Sequence, residues 1–192
     1  MRQLFVLFLL LLVCSCGSVD KKDQSKNIFR YNESAGIHSF DPAFAKDQAR
    51  IWFCNQVYNS LVQLDDNLQV KASIAKSWEV SENGLSYDFT LRSDVKFHSP
   101  INRLLSTEDV LYSLNRLVSD ETASPGAWVL NSVENILALN DSVIRLVLKE
   151  TNPAFLGLLS MQYCSILPIE SDTILNFFES PVGTGPFHFQ FH

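Results

Sequence analysis

No apolar run in this chain reaches the about 20 residues that a membrane-spanning helix needs; the longest, residues 4–13, carries no charge but is too short. Basic residues are in the minority, 15 against 21 acidic ones for a net charge of -6. That balance argues against nucleic acid as partner, because phosphate binding needs a clustered basic surface. Cysteine is scarce, and of the four present only Cys54 and Cys164 lie beyond the first sixteen residues. Two thiols make no disulfide framework. Cys54 falls in a helical pattern and Cys164 in an apolar run, so both read as small buried hydrophobes, with a disulfide between them as the other reading. Internal repeats and low-complexity tracts are lacking. Gly183-Thr184-Gly185-Pro186 is no phosphate cradle, since it lacks both a strand before it and a Lys-Ser or Lys-Thr pair after it. Nothing has the form of a nucleophile elbow or a paired-acid site, so neither an enzyme nor a bound cofactor is expected.

What is present begins with a basic start at Arg2, a short apolar stretch and small residues, which together describe an export signal over residues 1–15. Val13-Cys14-Ser15-Cys16-Gly17 resembles the lipobox of bacterial lipoproteins, which implies that Cys16 is the lipidated residue. Residues 16–27 are polar and charged (Asp20, Lys21, Lys22, Asp23, Lys26) and too poor in apolar groups to order themselves by burial. They read as a tether, and residues 28–192 as the folded part. A hydrophobic fraction of 46% supports a sizeable core there.

Residues 28–32 read as a first strand. A loop through Gly36 and Asp41-Pro42 follows, and from Asp47 the apolar residues predict a helix with Ile51, Asn55, Tyr58 and Val62 on one stripe, closed by Leu64-Asp65-Asp66-Asn67. Residues 86–91 alternate polar and apolar and predict a strand with one buried face, entered through the Asn83-Gly84 turn. Ser106 with Asp109 three residues on predicts a helix start, and Val110, Leu114 and Leu117 predict its buried stripe over residues 107–118. Residues 133–139 and 142–148 predict a hairpin around Asn140-Asp141. Asn152-Pro153 predicts a further helix start, and residues 181–186 a turn cluster before a strand-like Phe187 and Phe189. The result is a mixed α/β fold with hairpins between helices.

Several segments in order resemble family 5 of bacterial extracellular solute-binding proteins, the oligopeptide, dipeptide and nickel receptors of ABC transporters. They are Ser39-Phe40-Asp41-Pro42-Ala43, Gln56-Val57-Tyr58-Asn59-Ser60-Leu61-Val62, Ile74-Ala75-Lys76-Ser77-Trp78-Glu79, Gly84 through His98, Thr107-Glu108-Asp109-Val110-Leu111-Tyr112, Thr122-Ala123-Ser124-Pro125 and Gly183-Thr184-Gly185-Pro186-Phe187. The resemblance implies the N-terminal part of a clamshell of the type II periplasmic-binding-protein kind, with the second lobe missing. It also implies a peptide or small-solute ligand, an ABC permease in the inner membrane as partner, and attachment to the membrane through the lipid. A lipoprotein with a sensory or interaction role, or a remnant of a longer frame, is the alternative.

On that resemblance the loop after Asp41-Pro42 brings Ala45, Lys46 and Gln48 to the ligand, with a solvated surface loop as the other reading. Gly126 stands where peptide binders of the family place an aromatic, and Trp128 is the nearby ring that would replace it, unless it packs in the core or between the lobes. His38 is a further candidate for the cleft. A metal at His98 is not expected, since no second ligand stands at suitable spacing in the sequence. Trp78, Tyr87, Phe89, Phe97 and Tyr112 read as core, and residues 99–105 as a surface connection longer than the family's usual turn.

Overall fold

The computed structural model describes residues 28–34, 36–173 and 180–190; the expected export signal, tether and lipidated Cys16 lie outside them. The chain divides into two units, Met1–Asn32 and Glu33–His192. In the first, the described residues 28–32 form no strand, contrary to the sequence expectation, and the rings of Phe29 and Tyr31 stack at 6.4 Å.

In the second unit, helix α1 spans Gln48–Val57. Asp47 caps it, accepting from the Arg50 amide at 3.1 Å, so one free amide of the first turn finds a partner. The buried face is Ala49, Phe53, Cys54 and Val57, not the expected stripe: Ile51 is half-buried and Asn55 exposed. The helix also stops at Val57, short of the expected close at Leu64-Asp65-Asp66-Asn67. Tyr58 is already extended, and Val62–Leu64 is strand β1, paired antiparallel with β2, Val70–Ala72. Asp65 is the turn residue of that hairpin rather than a helix terminator, its carboxylate accepting the amides of Asn67 and Gln69 at 2.9 Å each.

Four strands make the main antiparallel sheet: β3, Ala75–Val80; β4, Ser86–Leu91; β5, Val133–Asn140; and β6, Val143–Leu148, in the order β3-β4-β6-β5. The expected alternation holds on β4, and β6 shows the same pattern. Tyr87, Phe89 and Leu91 face inward beside Ile144, Leu146 and Leu148, and Phe89 pairs with Ile144 in register. Helix α2, Thr107–Val118, lays Val110, Leu114 and Leu117 into the same apolar cluster; burying each such side chain contributes roughly 1.5–3 kcal/mol. The short helix α3, Phe155–Leu159, adds two fully buried side chains, Phe155 and Leu159. It begins two residues after Pro153, and Asn152 accepts from the Ala154 amide at 3.0 Å. Phe97 is buried as expected, whereas Trp78 and Tyr112 lie half-buried against the core.

The outward face of the sheet carries an ion pair across β4 and β6, Asp88 with Arg145, at 2.6 Å through two bonds. The guanidinium's hydrogen bonds hold the Asp88 carboxyl below its ordinary value of 3.8. A depressed folded-state pKa contributes stability that is complete above the ordinary value and is lost as pH falls through the depressed one. Both partners are partly exposed, so the expected contribution is about 0.2–1 kcal/mol. Asp88→Asn should therefore flatten the decline of stability on acidification below about pH 4, read by urea titrations from pH 7 to pH 2.5.

Cys54 and Cys164 are free and buried, as their apolar settings imply. Among the described residues no helix is long and apolar enough to cross a membrane.

Candidate functional site

The loop between Phe40 and α1 is built on a single 3₁₀ turn, Pro42–Phe44, capped by Asp41, whose carboxylate accepts from the Ala43 amide at 2.9 Å. Its carbonyls are held from outside. Tyr58 donates its hydroxyl to Phe40 at 3.0 Å, Arg50 donates to Phe44 at 2.9 Å, and Ser124 donates to Ala43 at 2.5 Å. The Ser124 hydroxyl also accepts from the Gly126 amide at 2.9 Å. One side chain thus ties the Asp-Pro loop to the Ser124-Pro125-Gly126-Ala127-Trp128 segment, and two stretches separated by 81 positions meet at one place.

The five candidate residues differ in what they present there. Ala45 is 1% exposed, backbone included, and packs with Phe40, Phe53 and Tyr58, so it belongs to the core and does not present itself to a ligand, contrary to the sequence expectation. Lys46 and Gln48 are exposed, but Gln48 is the first residue of α1 rather than part of the loop in which the sequence put it. Gly126 is buried, and a Cβ there would run into the ring of Tyr163. Tyr163 was not legible as a neighbour, because its approach to Gly126 depends on tertiary packing of the 3₁₀ turn Gln162–Cys164. Trp128 is 50% exposed while Val129 and Leu130 beside it are buried, which removes the core reading for its ring. His38 is exposed.

Helix α2 anchors the other side. Arg116 makes a two-bond ion pair with Asp41, at 3.1 and 2.7 Å, and a third bond to Asp172 at 3.3 Å. At the start of the helix, Asp109 is wholly buried and accepts from Arg103 at 2.6 and 2.8 Å, from the amide and hydroxyl of Ser106, and from the Ile169 amide. Arg103, in the long connection after His98, also binds Glu170 with two bonds and lies over the Phe97 ring. Hydrogen bonding to Arg103 lowers the Glu170 pKa.

His98 has a neighbour that the sequence did not reveal, His188, at 5.5 Å between ring centres. Burial first, and His188 second, lower the pKa of His98. No group of three His, Cys, Asp or Glu able to hold a metal occurs among the described residues. The returning segment docks beside this pair: Gly183 accepts from the His98 amide, and the amides of Gly185 and Phe187 donate to Val57 and Gln56 at 2.8 and 2.9 Å. These bonds satisfy carbonyls that the end of α1 leaves without intrahelical partners, which is why the helix closes at Val57 and the chain goes on extended. Phe187 and Phe189 form no strand, and Phe189 packs its ring on Phe40 at 4.9 Å.

The sequence profile of the bacterial extracellular solute-binding proteins, family 5 middle, matches residues 69–191. The chain is 32% identical to the heme-binding protein A of Haemophilus influenzae, over 91% of this chain and 36% of that protein. It is 31% identical to the di/tripeptide-binding protein 2 of Pseudomonas aeruginosa, over 94% of this chain and 38% of that one. Among solved structures, the ABC transporter-associated periplasmic binding protein DppA of Helicobacter pylori, in complex with the peptide STSA, matches with a TM-score of 0.71. Its identity is 31%, over 80% of this chain and 35% of that one. The chain therefore belongs to family 5 of the bacterial extracellular solute-binding proteins, and its mixed α/β fold is that of the periplasmic binding proteins. It spans little more than a third of the length of the relatives it matches.

Proposed function

We propose that the protein is the substrate-binding lipoprotein of an ABC importer, capturing a peptide or related small solute outside the inner membrane and passing it to a permease. The observation that carries this reading is the Ser124–Ala43 tie, which sets the loop of Lys46, and with it Gln48 at the start of α1, beside the turn bearing the half-exposed ring of Trp128. An exposed ring, a cation and an amide suit a ligand that is part apolar and part polar. Capture works by differential affinity: the ligand favours a closed state because only there does it touch both lobes.

Calorimetric titration of the full-length protein lacking residues 1–27 with pools of di- and tripeptides tests the reading, and saturable binding is expected. Trp128→Ala should weaken it roughly three- to tenfold, the size of one aromatic contact. No saturable heat from any peptide pool would overturn the assignment. The lipid anchor makes a separate expectation. Cells fed labelled palmitate should label the protein, and Cys16→Ala should lose both the label and membrane retention; label on the variant would remove Cys16 from the reading.

A further inference from the structure

We propose that Arg116 is the positioning residue of the ligand loop, an inference that rests on the function proposed above. The loop has little structure of its own. Its internal bonds are Phe44 to Asp41 and Ala45 to Pro42, both 3.1 Å, and Lys46 to Phe44 at 2.8 Å. A single 3₁₀ turn of this kind does not hold itself in water.

Its place is set by groups on other elements, and three of these anchors grip main-chain carbonyls: Tyr58, Arg50 and Ser124. The fourth is charged on both sides. Asp41 faces Arg116 across 75 positions of sequence, with both side chains largely buried at 7% and 14% exposure. A guanidinium fork on a carboxylate fixes orientation as well as distance, which a single bond to a carbonyl does not.

The carboxylate that takes the fork also caps the turn. Asp41 Oδ1 accepts from both Arg116 Nη1 and the Ala43 amide, so the position of the guanidinium sets the first amide of the stretch leading into Ala45, Lys46 and Gln48. Arg116 is itself held through Nε by Asp172 on the 3₁₀ turn Ile169–Asp172. It lies in the last turn of α2, where a cation is also favoured by the helix dipole. The chain of contacts runs from α2 through Asp41 to the loop, and ligand then binds a loop already ordered rather than ordering it at the expense of affinity.

The test uses the full-length protein, an equimolar pool of di- and tripeptides as probe, and amide hydrogen exchange without ligand. Arg116→Met should raise the apparent Kd at least tenfold and speed exchange at Ala43 and Ala45, with β4 and β6 unchanged. Arg116→Lys, which keeps the charge but not the fork, should fall between. Asp41→Asn should reproduce the loop effect if Arg116→Met fails to fold, and the double variant should be no worse than the more severe single one. An apparent Kd within twofold of the parent with unchanged loop exchange, or strictly additive effects of the two substitutions, would overturn the proposal. Should the parent protein bind none of the pool, the function reading falls, and the exchange data alone decide whether Arg116 orders the loop.

Discussion

Asp109→Ala is expected to lower stability by about 3 kcal/mol. The carboxylate is wholly buried and accepts five hydrogen bonds, from Arg103 twice, Ser106 twice and Ile169 once. Removing one side of a buried ion pair costs about 3–5 kcal/mol when the other charge is left stranded. Here Arg103 keeps Glu170 and is 33% exposed, so the lower end applies. The loss falls instead on the Ser106 amide at the helix start and on the Ile169 amide across the fold, both of which donate to this carboxylate. Urea unfolding should show a lower midpoint with an unchanged slope, and the thermal midpoint should fall by roughly 6–12 °C for a chain of this size. Asp94→Ala is the control: its pair with Arg92 is exposed on both sides, at 69% and 47%, and its loss should leave the urea midpoint essentially where it is.

Gly185→Ala should be nearly as damaging, for a steric reason. A Cβ on Gly185 would stand 2.5 Å from the Val57 carbonyl carbon and 2.7 Å from the Gln56 and Val57 oxygens. Main chain at the end of a helix cannot rotate aside as a side-chain tip would, so the returning segment must lift. Overpacking of this kind costs about 1–3 kcal/mol, and the bonds from Gly185 and Phe187 to the helix carbonyls add roughly 0.5–1.5 kcal/mol each when broken. Both costs come from one backbone shift and so do not add in full; the expected loss is about 2–4 kcal/mol, with faster amide exchange at Gly185 and Phe187 ahead of β4 and β6. Gly36→Ala is the contrast in space: nothing lies within 4 Å of a Cβ there, although its φ of +68° carries a modest backbone penalty.

These two sites also mark where the sequence could be read and where it could not. Helix α2, strand β4 and the β5-β6 hairpin were legible because their signals are local: Ser106 and Asp109 stand three apart, residues 86–91 alternate, and Asn140-Asp141 separates two apolar runs. Helix α1 was overextended because Tyr58, Leu61 and Val62 keep helical spacing with Val57. They are buried all the same, through an extended path that the far segment 183–187 makes favourable by taking up the last carbonyls. The site divides in the same way. The Asp-Pro loop and the segment around Trp128 were visible as candidates, but the pairs that build the site, Asp41 with Arg116, Ala43 with Ser124 and Gly126 with Tyr163, are long-range and leave no periodic trace. Ala45 was placed in the loop correctly, yet its side chain turned into the core, since nothing in a three-residue turn tells which methyl faces inward.

The two thiols have a practical use. Burial pushes the Cys164 thiol up to about 12, and burial followed by the nearby Asp41 carboxylate pushes the Cys54 thiol up as well. Maleimides react with thiolate, so at neutral pH both native sulfurs are shielded chemically and sterically. Within residues 28–192, Gln48→Cys would therefore take a fluorophore in preference to either native thiol, and on the function proposed above the dye would report ligand arrival with Cys54 and Cys164 left in place.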